Sequence, residues 1–123
     1  MALYFYDTYA FIEYFKNNPL YVFYFEQNDG ILTLFNILEI YYAILNDAGE
    51  SEANLIMDKL YPYYVVQPTK EEIKKAMDFK SKNKQFNLSY ADCLGYCIAN
   101  QRGIKFLTGD MQFKNRVNVE FVK

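Results

Sequence analysis

The sequence predicts an α/β domain: three layers, α/β/α, around a central parallel sheet of four to five strands. Two observations carry this. Short runs such as Leu3 to Tyr6 and Ile104 to Leu107 are apolar without polar alternation, as suits strands buried on both faces. Stretches of helical periodicity separate these runs, and alternating strands and helices give a parallel sheet with right-handed crossovers. The chain has 123 residues, 52% of them hydrophobic, which is enough for one core, so 1–123 is read as a single domain.

The elements follow in order. Leu3 to Tyr6 is the first strand and ends at Asp7. Thr8 to Lys16 reads as a helix with Ala10, Phe11, Tyr14 and Phe15 apolar, broken by Asn17-Asn18-Pro19. Leu20 to Gln27 reads as helical, and Asn28-Asp29-Gly30 as a turn. Ile31 to Leu34 is the second strand. Phe35 to Leu45 is a helix apolar almost all round, hence buried, and Asn46 to Gly49 closes it. Glu50 to Leu60 is amphipathic through Ala53, Ile56, Met57 and Leu60. Tyr63 to Val66 is the third strand, stopped by Pro68. Thr69-Lys70-Glu71-Glu72 is a capping box that starts a helix running to about Lys82. A further helix follows Ser89 to about Gln101, with Tyr90, Leu94, Cys97 and Ile98 at helical spacing, and Arg102-Gly103 ends it. Ile104 to Leu107 is the fourth strand. Val117, Val119 and Phe121 alternate with Asn118 and Glu120 as a half-exposed edge strand does.

Composition restricts the chemistry. There is no histidine, which excludes Ser-His and Cys-His nucleophiles, histidine acid/base pairs and zinc sites built on imidazole. The two cysteines, Cys93 and Cys97, suggest no disulfide framework. No apolar run reaches the roughly 18 residues of a membrane span, and the N-terminus lacks a basic start, so the expectation is a cytoplasmic protein without a membrane partner. Charge is uneven. Residues 1–69 carry Lys16 and Lys59 against nine acids, and residues 70–123 carry eleven basic groups against six. The Lys70 to Lys84 run reads as a solvated helix face.

Four carboxylates stand out by position. Asp7 follows the first strand and Asp110 the fourth, so both project from the carboxyl edge of the sheet, where the working site of such sheets lies. Asp92 is in the first turn of a helix that opens on the same edge. Glu39 lies within an apolar helix, with Asn36 one turn earlier on the same face. Each acid has a plainer explanation: Asp7, Asp92 and Asp110 can all cap helical turns, and Glu39 can face solvent. Together, four acids converging without a basic partner would not all ionise, and a hard divalent cation resolves that conflict. The residues expected to hold Mg²⁺ or Mn²⁺ are Asp7, Asp92 and Asp110, with Glu39 as a further ligand or as a base.

These pieces, Tyr6-Asp7-Thr8, Thr33 to Glu39, Ser89-Tyr90-Ala91-Asp92 and Phe106 to Phe113, resemble the PIN-domain family, and within it the VapC-like toxin ribonucleases. The resemblance runs from Leu3 to Val122. It implies a PIN-like fold and a magnesium- or manganese-dependent endoribonuclease, the toxin of a toxin–antitoxin pair. It makes Asp7, Glu39, Asp92 and Asp110 the catalytic quartet, with Thr8 and Thr108 beside the first and last acids and Asn36 in support. It also implies an antitoxin partner and a homodimer. The alternative is a PIN-like module for RNA processing or protein interaction without nuclease activity. A haloacid dehalogenase-type phosphatase needs a second Asp where Tyr9 stands, and a phospho-receiver needs an acceptor Asp where the third strand ends in Gln67-Pro68.

A rim of acids repels phosphate, so basic side chains are expected to guide RNA. Arg102, Lys105, Lys114 and Arg116 flank the last acid in sequence and are the candidates. The aromatic segment Tyr9 to Phe25 holds more rings than so short a stretch can bury, so part of it is expected at a dimer or antitoxin surface.

Overall fold

The computed structural model describes residues 1–123, the side chain of Tyr64 excepted. Five strands, β1 (Leu3–Tyr6), β2 (Asp29–Leu32), β3 (Tyr64–Val65), β4 (Lys105–Thr108) and β5 (Val119–Phe121), form one sheet in the order β3-β2-β1-β4-β5. All four strand pairs are parallel. The helices are α1 (Thr8–Phe15), α2 (Val22–Glu26), α3 (Leu34–Ala48), α4 (Glu50–Leu60), α5 (Lys70–Lys82) and α6 (Tyr90–Arg102). No helix among the described residues is long and apolar enough to cross a membrane.

Alternation along the strands builds the three layers. Phe5, Ile31 and Phe106 point to one face, where α5 and α6 contribute Ala76, Leu94, Tyr96 and Ile98. Tyr6, Leu32 and Leu107 point to the other, against Ala10 and Phe11 of α1, Ile40 and Ile44 of α3, and Ala53, Ile56 and Leu60 of α4. At Gly95 a β-carbon would collide with the Phe5 ring, so glycine lets α6 sit close on the sheet.

Two boundaries differ from the sequence expectation. Asn28-Asp29-Gly30 is not a free turn. Asp29 and Gly30 already pair with Leu3 and Tyr4, and the Asp29 N–H donates to the Ala2 carbonyl, so β2 starts at Asp29. It also ends earlier, at Leu32, because Thr33 caps α3 and Leu34 becomes its first residue. That helix runs on to Ala48 and stops at Gly49, whose φ of 90° suits glycine.

The aromatic segment packs inward more than expected. Phe11, Tyr21 and Phe25 are buried, and Tyr6, Phe11, Tyr14 and Phe25 form a linked set of stacked and edge-on rings. The Tyr21 hydroxyl donates to the Val122 carbonyl, and that of Tyr24 to Glu120. What lies outside is Leu20, Val22 and Phe23, the last 57% exposed.

Candidate active site

The strand order places the site. Successive connections move outward from β1 to β2 to β3, and the next returns to β4 on the other side of β1. This reversal opens a crevice at the carboxyl ends of β1 and β4. Asp7 follows β1 and Asp110 lies just past β4, so the crevice receives both. The Asp7 N–H donates to the Leu107 carbonyl at 3.1 Å, which sets Asp7 level with Thr108. Gly109 is buried there, and a β-carbon on it would collide with Tyr9 and the Val122 carbonyl. The turn to Asp110 therefore needs glycine.

Two threonines fix the acids. The Thr108 hydroxyl donates to Asp7 Oδ2 at 2.7 Å and accepts the Asp110 N–H at 3.0 Å. Its one proton is committed to Asp7, so the hydroxyl couples the two acids with a fixed polarity. On the other side, the Thr33 hydroxyl donates to Asn36 Oδ1 at 2.9 Å, which sets the Asn36 amide. Asn36 Nδ2 donates to Thr8 Oγ1 at 3.1 Å, and Thr8 Oγ1 donates to Glu39 Oε1 at 2.8 Å. This chain runs one way and holds Glu39 of α3 against the start of α1.

The capping roles are present as well. Asp7 Oδ1 accepts the Thr8 N–H, Asp110 Oδ1 accepts the Gln112 N–H, and Ser89 with Asp92 forms a reciprocal capping box. Capping does not account for the electrostatics. Asp7 is buried, and its carboxyl is held well above the usual carboxylate range, first by burial and then by the charge of Asp92. Burial also raises Asp92, to about 6, with Glu39 and Asp110 adding to the effect. The four acids therefore share one electrostatic neighbourhood. Among the described residues, the two salt bridges are Lys82–Asp78 and Arg102–Glu72, and neither touches these acids.

The donor set is all oxygen, and a buried carboxylate without a basic partner suits a hard cation. Among the described residues no three acidic side chains form a ready-made cage. An oxygen-only donor set of this kind excludes soft-metal sites.

Two of the four basic candidates lie away from the acids. Arg102 ends α6 and Lys105 opens β4, both at the opposite, amino-terminal edge of the sheet. Arg102 is committed to buried Glu72 through two bonds, of 2.8 and 3.0 Å. Arg116 is half-buried, with its guanidinium about 5 Å from the rings of Phe79 and Phe86. Lys114 is exposed on the turn after Asp110. For Arg102 and Lys105 proximity in sequence misleads, because a parallel strand carries its two ends to opposite edges of the sheet.

Other residues near the acids were not anticipated. Thr33 is a buried cap, signalled only by its place before an apolar helix. Lys123 Nζ donates to the Tyr9 hydroxyl at 3.1 Å and to the Gly109 carbonyl at 3.4 Å. Lys80 leaves the solvated face expected of Lys70 to Lys84: it is half-buried and donates to the Leu88 carbonyl. No local pattern marks either lysine, because both are placed by tertiary packing.

Known proteins share this architecture. Three solved structures are similar over nearly the full length of both chains. A toxin–antitoxin complex from Klebsiella pneumoniae has a TM-score of 0.66 at 15% identity, covering 98% of this chain and 96% of that one. VapC20 of Mycobacterium tuberculosis, a sarcin-ricin loop cleaving toxin, has 0.71 at 12%, covering 97% and 99%. VapBC2 of Rickettsia felis, bound to a DNA fragment from its promoter, has 0.76 at 14%, covering 98% and 97%. At these identities the likeness is one of fold. No curated protein matches the sequence. The family model of the PIN domain matches residues 4–118. Since that match spans all but the two ends of the chain, this protein belongs to the PIN-domain family.

Proposed function

We propose that this chain is a divalent-metal-dependent endoribonuclease and the toxin of a toxin–antitoxin pair. One observation carries the reading: four carboxylates from four segments share the switch-point crevice, and the buried Asp7 has no basic partner among the described residues. Asp7, Asp92 and Asp110 are the residues that would hold Mg²⁺ or Mn²⁺. Such an ion, when bound, polarises a phosphate and acidifies water.

The chain's own groups do the rest. Thr108 orients Asp7 and the backbone of Asp110. Thr8, itself set by Asn36, holds Glu39 where it can take the proton of an attacking water. Water oxygen bonds to phosphorus, the P–O3′ bond breaks, and the 3′ oxygen leaves with a proton, giving a 5′-phosphate and a 3′-hydroxyl. The fold likeness to toxin–antitoxin structures supports an antitoxin partner, and the reading carries with it a cytoplasmic setting.

For an antitoxin or a second copy of the chain, the better surface is α3. Leu34, Leu38, Tyr42 and Leu45 are exposed along that helix, whereas Tyr21 is buried. This exposed face also favours the second reading, an interaction module without nuclease activity. End-labelled single-stranded RNA incubated with Mn²⁺ separates the two: the nuclease reading expects fragments carrying 5′-phosphates, and intact RNA favours the module.

A further inference from the structure

We infer that the groove between the end of α5 and the start of α6 is a nucleotide subsite. In it Tyr90 and Phe86 stack bases, and Lys80 and Lys84 receive phosphates of single-stranded RNA. The inference rests on the ribonuclease reading and deepens it.

The groove has a volume of about 350 Å³, in the range of small-ligand clefts, and is lined by Lys80, Asn83, Lys84, Phe86, Leu88 and Tyr90 among others. Tyr90 is 60% exposed and Phe86 40%. Aromatic faces open to water beside lysines are the combination by which proteins hold single-stranded nucleic acid without reading sequence. An ordinary core needs neither the exposure nor the charge.

The groups are held in place. Lys80 Nζ donates to the Leu88 carbonyl and lies 5.0 Å over the Tyr90 ring, so the ammonium is positioned and keeps further protons for a phosphate. Behind the groove, Arg116 donates to Asn83 Oδ1 at 3.2 Å and sits 4.9 Å from the Phe86 ring, bracing that side. The nearby Asp78 is already paired with Lys82 at 3.0 Å.

The groove is continuous with the acids. Tyr90 opens α6, and Leu88, which lines the groove, is followed by Ser89, whose N–H donates to Asp92 Oδ2 at 2.9 Å. The Asn87 N–H, between Phe86 and Leu88, donates to Gln112 Oε1 at 2.8 Å, and the Gln112 N–H donates to Asp110 Oδ1 at 3.0 Å. The rim of the groove is thus hydrogen-bonded to the segments that carry Asp92 and Asp110. This groove gives the substrate a basic path that Arg102 and Lys105, at the far edge, do not.

The test uses the full chain and a fluorescent, mixed-sequence single-stranded oligoribonucleotide. Binding is read by anisotropy in chelator, and cleavage kinetics with Mn²⁺. Tyr90→Ala is expected to weaken binding about 10-fold and to raise KM with kcat retained, while Tyr90→Phe restores both. Lys84→Gln should flatten the salt dependence, whereas Lys74→Gln, exposed elsewhere on α5, should not. If the wild type binds and cuts this RNA and Tyr90→Ala and Lys84→Gln match it at equal melting temperature, the subsite is wrong and the nuclease reading stands. If the wild type neither binds nor cuts, the nuclease reading fails and the subsite with it.

Discussion

Asp92→Asn should make the metal-free protein more stable at neutral pH, although it removes a residue from the site. The carboxyl of Asp92 moves from an ordinary value of 3.8 to about 6 in the folded chain, mainly through burial. That corresponds to about 3 kcal/mol against the charged form. Asparagine keeps an oxygen to accept the Ser89 N–H, now seen at 2.9 Å, so the capping box survives. The weaker, uncharged bond at a helix N-terminus returns about 1 kcal/mol of that gain. Partial relaxation leaves a net stabilisation of about 1–2 kcal/mol, or about 4–8 °C for a chain of this length. The sign with pH follows from linkage. A raised folded value means that protonation stabilises the fold, fully below pH 4, and that this contribution is lost as pH rises through about 6. Asp7 shifts in the same direction. Thermal melts in chelator from pH 4 to 8 should therefore show the wild type losing stability over that window. The variant should lose less, so the two curves part as pH rises. A variant that melts below the wild type at pH 7.5, or a difference that does not change with pH, would refute the reasoning.

Other outcomes follow from the same geometry. Millimolar Mn²⁺ should raise the melting temperature of the wild type, with the increase set by concentration over Kd, and raise that of Asp92→Asn less; a differential scanning fluorimetry titration reads both. Thr108→Val should cost about 1–3 kcal/mol and reduce cleavage, because Asp7 Oδ2 and the Asp110 N–H both lose their partner, while Thr108→Ser should keep both functions. Arg102→Ala should destabilise by about 2–4 kcal/mol in denaturant melts by orphaning buried Glu72, and should leave the KM for RNA unchanged.

Much of the fold was legible because it rests on local chemistry. Apolar runs marked the buried strands, Thr69 and Ser89 marked helix starts, and Gly103 an end. The parallel β1–β4 pairing then carried Asp7 and Asp110, far apart in sequence, to one crevice. Where the reading failed, the cause was tertiary. Asp29 and Gly30 have turn chemistry, yet the edge of β1 recruits them into a ladder. The crowded segment Tyr9 to Phe25 reads as partly surface, yet Val122 near the C-terminal end folds back to accept the Tyr21 hydroxyl. Nearness in sequence to Asp110 does not mark Lys123, which reaches the Gly109 carbonyl from the C-terminal end, or Lys80, which α5 brings to the Leu88 carbonyl.

The account's central claim is that Asp7 anchors a metal-dependent nuclease site. Asp7→Asn changes almost no volume and keeps an oxygen for the Thr8 N–H; it gives up the acceptor for the Thr108 hydroxyl, and relief of the buried charge offsets that loss, so the fold should survive. Cleavage of single-stranded RNA should be compared between wild type and this variant, with Mg²⁺ or Mn²⁺ and with chelator. The wild type is expected to cut only with the cation, and Asp7→Asn to cut at least about 100-fold more slowly at an unchanged or higher melting temperature. A folded Asp7→Asn that cuts as fast as the wild type, or a wild type equally active in chelator, would contradict the claim.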